Sequence, residues 1–340
     1  MKSIYFIALL AILLSTVCFA STTTISKESS WKTECIGRYQ IDAPGEIEVA
    51  LDKLSNTIIS PHTTFLDGQV AYFSQSYYYG SLIVTTPTTL TQFIKFKQAK
   101  ELQAEKIKQE FMSSSDEKKI NWGKAMKPMA YNNPSLFGWD LENSYPALYH
   151  YLENRIYIYS PSHGNDVLRK KQFHSVLNDL RPRPLYEIPN QTGVCIPYGF
   201  IADDGDASSD IAVTMRLIDH PDVEIFFEDG APARDPKMAI TLFFDGYVNG
   251  EKGIKADFWG YRSITMSGQK GKALFVTITR TDDTKDYGYV AYVEGDSASS
   301  SKMLYVIRTA ARAKGEPVSK DELKDMAEKI MASVKPHGVK

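Results

Sequence analysis

Apolar positions along this chain switch between two periods. Cys35 to Ile41 and Ile47 to Leu51 alternate as half-buried strands do, interrupted at Ala43-Pro44-Gly45. Val70 to Val84 is dense in Tyr and Phe, with Gly80 inside it, and reads as strands. After Pro87 the period lengthens. Phe93, Phe96, Ala104, Ile107 and Phe111 can share one face of a helix over Leu90 to Phe111, with lysines on the other face. Ser113 to Lys119 reads as a polar loop, Trp122 to Trp139 as irregular, and Leu148 to Tyr159 as a hairpin-like pair of strands. Asn165 is placed to cap a second helix, where Phe173, Val176, Leu177 and Leu180 recur at spacings of three and four. Pro182 and Pro184 stop it, because proline has no N–H to donate and forces the preceding residue extended.

Pro182 to Gly193 then predicts a stiff linker, with turn chemistry at Asn190 to Gly193. Beyond it the pattern restarts. Cys195 to Ile201, Ile211 to Leu217, Val223 to Phe227, Lys255 to Met266, Ala273 to Thr279, Tyr287 to Val293 and Met303 to Ala310 read as strands. For Ile240 to Tyr247 periodicity does not choose between helix and strand. Ser319-Lys320-Asp321-Glu322 is a capping box. The helix after it carries Leu323, Met326, Ala327, Ile330, Met331 and Val334 on one stripe and stops at Pro336.

Each half therefore runs from a cysteine-bearing strand through antiparallel strands to an amphipathic helix ended by proline. Leu177 to Pro182 and Ile330 to Pro336 hold equivalent places, as do Cys35 and Cys195. The predicted fold is α+β: two similarly organised domains, each an antiparallel sheet with packed helices, over residues 21–187 and 188–340.

Residues 1–20 read as a signal peptide. Lys2 precedes an apolar run from Ile4 to Leu14, and Cys18-Phe19-Ala20 offers small residues for cleavage after Ala20. The run is shorter than the ~20 apolar residues of a membrane span, and no later stretch is long and apolar enough to be one. A lipoprotein signal at Cys18 is disfavoured by the bulky Val17. The expected location is the periplasm. Ser21 to Ser30 is a flexible leader. After cleavage Cys35 and Cys195 remain, an even pair that an oxidising compartment can join as a disulfide; the alternative is two separate buried thiols.

The 43% apolar share supports a normal core, and a formal net charge of −2 excludes the basic footprint of a nucleic-acid binder. The charge is uneven: residues 21–185 sum to about +2 and residues 186–340 to about −5. No nucleophile elbow, zincin motif, C-x-x-C pair, phosphate loop or dinucleotide fingerprint occurs, so no catalytic, cofactor or metal residues are assigned. The six histidines are scattered. Asp203, Asp204, Asp206 and Asp210 surround a glycine turn that could suit calcium, but not with EF-hand spacing. With Asp222, Glu224, Glu228 and Asp229 they are candidate loops for steering a basic partner; Asp282, Asp283 and Asp286 form a third acidic group. Tyr77-Tyr78-Tyr79, with Tyr72 and Phe73, could be a binding platform, although a sheet covered on both faces is the preferred reading.

Two stretches carry a family resemblance. Trp31 to Pro44, WKTECIGRYQIDAP, resembles the opening of the amino-terminal domain of the Tli4 family, and Gly193 to Ile201, GVCIPYGFI, resembles the opening of its carboxy-terminal domain. These are immunity proteins of bacterial type VI secretion. The resemblance implies a periplasmic protein without catalytic residues. Its expected partner is a cognate antibacterial phospholipase effector, held inactive by a clamp of two domains.

Overall fold

Each cysteine sits in a short hairpin, and the two hairpins organise everything else. The computed structural model describes residues 30–129, 131–140, 147–161, 166–231, 234–241, 255–295 and 300–338. The signal peptide with Cys18 and Ala20, residues 21–29 of the leader, Asn165 and residues 242–254 lie outside the described residues. Trp31–Ile36 pairs with Tyr39–Pro44, and Gly193–Ile196 pairs with Gly199–Ala202. The sequence predicts one continuous strand at each place. Instead the chain reverses, at Gly37 (φ +58°) in the first and at Tyr198 (φ +60°) in the second. Gly37 has no substitute: a Cβ there would lie 2.8 Å from Ile211 Cγ2.

Each hairpin takes a third strand from the chain that leaves a helix. Leu180–Pro182, after the helix Asp166–Asp179, pairs with Gly199–Ala202. Lys335–Pro336, after the helix Lys320–Ser333, pairs with Tyr39–Pro44. The repeated plan is therefore present in space but shifted around the chain. The hairpin that opens the first half is completed by the strand that follows the helix of the second.

Among the described residues the main sheet has thirteen strands. From the edge strand Lys255–Met266 it runs through Gln269–Thr279, Lys285–Val293, Ser301–Arg308, Val223–Ala231 and Ile211–Leu217. It then crosses into the first half through Phe73–Tyr77, Gly80–Val84, Arg155–Ser160, Leu148–Leu152, Leu136–Asp140 and Lys127–Pro128. Ile211–Leu217 pairs with both Phe73–Tyr77 and Ile47–Val49. One apolar core spans the crossing, with Ile47, Phe73, Tyr77 and Tyr157 from one half and Val213, Ile225, Phe227 and Val306 from the other. The expectation of separately packed halves is corrected here. Apolar alternation shows that a strand is half-buried but not which neighbour buries it, and Ile211–Leu217 is fully buried along its length.

Two capping boxes fix helix starts. Thr89 and Gln92 cap Leu90–Met112, and Ser319 and Glu322 cap Lys320–Ser333. Lys320–Ser333 buries Leu323, Met326, Ala327, Ile330 and Met331. Leu90–Met112 buries Phe93 and Phe96 against Phe137, Ile156 and Ile158. Two elements go beyond the sequence reading. Asp116 caps a helix over Glu117–Ala125 in the stretch that reads as loop and irregular chain, and Phe111 packs on its Trp122. Leu51–Ser55 and Ile58–Thr64 form a hairpin turning at Asn56. Residues 236–241 are helical.

Candidate partner-binding site

The junction of the two hairpins is the rigid base from which the surface loops project. Cys35 and Cys195 are joined by a disulfide across 160 residues. Beside it Gly37 N–H donates to Cys195 O at 2.9 Å and Cys195 N–H donates to Gly37 O at 2.8 Å. Beneath lies a fully buried guanidinium. Arg183 donates to Glu34 at 2.5 Å, to Cys35 O at 3.1 Å and to Ile196 O at 3.4 Å, and to Gly199 O and Glu187 O besides. Glu34 also accepts from Tyr186 N–H. Burial raises the Glu34 pKa, and the Arg183 charge opposes the rise. The segment expected to be a linker is thus bonded into the centre of the molecule. At the first turn Arg38 forms a two-pronged pair with Asp203, at 3.0 and 2.7 Å, and donates to Ala207 O at 2.7 Å. His337 N–H donates to Arg38 O at 2.7 Å, which ties the carboxy-terminal segment to the same turn. Cys35, Cys195 and His337 lie within 4.8 Å of one another. The disulfide consumes the thiolates that a metal would need.

Next to this base, Phe73–Tyr77 turns into Gly80–Val84 through Tyr78 and Tyr79, both in the left-handed region at φ +50° and +62°. Two-residue hairpin turns favour Asn-Gly for this conformation, and a bulky residue there costs on the order of 1 kcal/mol. The surroundings hold the turn in place. Gln172 donates to Tyr78 O at 2.7 Å, Tyr159 OH to Tyr77 O at 3.0 Å, and Tyr78 N–H to Ser208 O at 2.8 Å. Gly80 is required because a Cβ would lie 2.6 Å from Tyr159 OH. Tyr77 is buried, whereas Tyr79 is 72% exposed at the tip. The aromatic run therefore divides: Phe73 and Tyr77 are core, and Tyr72 and Tyr79 reach solvent at opposite ends of one strand.

The first acidic loop lies against this hairpin. Asp210 O accepts from Ser76 N–H at 2.9 Å, and the Asp210 carboxylate accepts from Ser76 OH at 3.1 Å. Of its four aspartates, Asp204, Asp206 and Asp210 are exposed. Asp203 is occupied by Arg38 and does not belong to a free acidic surface. The second group is mostly internal. Asp222 is buried and accepts from Val318 N–H. Glu224 is shared by Arg312 and Gln69. Asp229 is buried beside Lys302 and bonded by Ser300. Glu228 is half-buried, and burial, then Asp210 and Asp229, raise its pKa. The eight carboxylates thus do not form one solvated face. A charge seen in sequence shows no partner, and strand Val223–Ala231 turns Glu224 toward Arg312 and Asp229 toward Ser300 and Lys302.

What these features define is an α+β protein with a rigid double-hairpin base and an exposed, strained aromatic tip beside a short acidic loop. Residues 187–327 match the family model described as the Tle cognate immunity protein 4 C-terminal domain. The same fold occurs in the apo structure of immunity protein TplEi of the type VI secretion system from Pseudomonas aeruginosa. That match has a TM-score of 0.59 and 15% identity, and covers 92% of this chain and 99% of that one. TplEi complexed with an "L" peptide matches at a TM-score of 0.57 and 14% identity, over 91% and 99% of the two chains. A chain in a crystal structure of a Tle4–Tli4 complex matches at 0.59 and 15% identity, over 91% and 98%. A search of curated proteins finds no sequence match. Among the described residues no helix is long and apolar enough to cross a membrane.

Proposed function

We propose that this chain is a periplasmic immunity protein that binds a cognate type VI secretion lipase effector and holds it inactive. The observation that carries the reading is the match of residues 187–327 to the immunity-protein family. The shared fold over more than nine-tenths of the chain supports it. The chain acts by occupying a surface and not by chemistry, and its contact face is the Tyr79 tip with Asp204, Asp206 and Asp210. Tyr79 has the anchor chemistry of an interface hot spot, a large and rigid amphipathic ring, and it is held where a relaxed chain would place asparagine or glycine. The three aspartates raise the encounter rate with a basic effector surface. The two flanks of the sheet act as the jaws of a clamp on one shared base. Export uses residues 1–20 with cleavage after Ala20.

The test is a phospholipase assay of the effector recovered with the tagged full chain, run with and without added protein. Stoichiometric loss of activity is expected; undiminished activity at saturating protein removes the proposal. Mass measurement of the protein from the cell envelope checks export, since a chain beginning at Met1 excludes cleavage.

A further inference from the structure

The acidic half of the chain contains a groove of the opposite sign. The groove, with a volume of about 540 Å³, lies between residues 235–237 and the hairpin of Lys255–Met266 with Gln269–Thr279. Lys237, Lys270 and Lys272 line it with Ser263 and Thr265. Lys272 donates to Ser263 Oγ at 2.9 Å, and Lys237 stands 5.7 Å from the Tyr261 ring centroid. Among the described residues none of the three lysines has a carboxylate partner. The one acid in the wall, Asp235, accepts from Lys237 and Met238 N–H and so serves the backbone. Residues 186–340 sum to about −5, so three lysines in one recess with no carboxylate partner among the described residues run against their background. The neighbouring strand Lys255–Met266 is the last of the sheet and is paired on one side only among the described residues.

We infer that this groove receives an acidic, extended segment of the partner protein, its carboxylates on Lys237, Lys270 and Lys272 and its backbone beside the Ser263 and Thr265 hydroxyls. The inference rests on the proposed role as an inhibitor of another protein, and supplies a second contact of opposite charge. Six inter-strand steps separate the groove from the Tyr79 hairpin, about 29 Å at the usual strand spacing. A single partner that meets both contacts must carry a basic patch and an acidic segment at that separation, which fixes its orientation. A recess suits an inserted polypeptide better than a bilayer, whose anionic surface is flat.

The test titrates the full chain with a labelled glutamate octapeptide and a matched glutamine octapeptide. Lys237→Gln/Lys270→Gln/Lys272→Gln is compared with a control that neutralises Lys95, Lys106 and Lys119 on the opposite flank, and thermal melts verify that both fold. The glutamate peptide should bind, about tenfold more weakly to the groove variant and within about twofold for the control, and the glutamine peptide should not bind. No binding, equal loss in both variants, or displacement of the peptide by phosphatidylglycerol vesicles overturns the inference. The lipase assay is a separate arm. If wild type inhibits and the folded groove variant inhibits equally well, the effector is not the occupant and the inference fails while the proposed function stands. If wild type does not inhibit, the proposed function fails, and the peptide arm still reads the groove.

Discussion

Cutting the chain at the boundary between its repeats should abolish folding of both pieces. Residues 188–340 expressed alone lack the first hairpin and its continuation, which place Ile36, Ile41, Ile47 and Val49 in the common core at 5%, 2%, 2% and 7% exposure. Burying each such side chain contributes about 1.5–3 kcal/mol, so the four contribute about 6–12 kcal/mol. That equals the entire stability of a typical domain, about 5–15 kcal/mol. The piece also loses the strand beside Tyr39–Pro44 and leaves one side of Ile211–Leu217 unpaired. Residues 21–187 lose the partners of Ile47–Val49 and Phe73–Tyr77 in turn. Urea titration followed by circular dichroism should show a cooperative transition for residues 21–340 and none for either piece. A cooperative transition in residues 188–340 alone, with a midpoint within about 1 M of the full chain, would show that the shared core is dispensable.

Four further outcomes are expected. Arg183→Ala should cost about 3–5 kcal/mol in urea titrations by stranding buried Glu34, whereas Arg183→Met combined with Glu34→Leu should recover most of it; equal loss in both contradicts the pairing argument. Loss of the disulfide by Cys35→Ser/Cys195→Ser should cost about 5 kcal/mol on the chain-entropy argument for a 160-residue loop, read as a lower urea midpoint. Tyr79→Gly should leave stability equal or higher by about 1 kcal/mol while weakening effector binding at least about tenfold; an unchanged Kd removes Tyr79 as an anchor. His150 is buried, with no hydrogen-bond partner at either ring nitrogen among the described residues, and burial lowers its pKa to about 4. The unfolded chain therefore binds a proton that the folded one refuses, so stability falls as pH drops from 6.5 to 4, by up to about 3 kcal/mol. Asp52, raised by burial to about 6, gives the opposite slope over the lower part of that range, so the test compares wild type with His150→Leu, which should lose the acid-dependent decline.

Local signals were legible where the chain interacts with its near neighbours. The Ser319 box and the apolar stripe after it are fixed within one or two helical turns, and the hairpin over Leu148–Leu152 and Arg155–Ser160 by alternation across a tight turn. Legibility ended where a partner lies far away in sequence. Nothing in Glu34 announces Arg183, 149 residues on, and nothing in Tyr39–Pro44 announces Lys335–Pro336. The acidic positions failed for the same reason: Asp203 and Asp229 looked solvated because Arg38 and Lys302 are remote in the sequence. Turns at Tyr78-Tyr79 and Tyr198 escaped because tyrosine in a left-handed conformation defies turn chemistry, and such a turn shows only once tertiary contacts hold it.

The pairing of Tyr39–Pro44 with Lys335–Pro336 sets a timetable. The first hairpin is delivered long before the strand that completes it, Lys335–Pro336. That hairpin must therefore wait in an unfinished state until Lys335–Pro336 is made, with its apolar residues and Cys35 uncovered. Contacts of such long sequence separation form slowly and leave the waiting chain open to aggregation. Within residues 21–340 Cys195 is the one other cysteine, so inside that segment Cys35 can close only the native loop. The arrival of Lys335–Pro336 is the event that releases the hairpin from its wait.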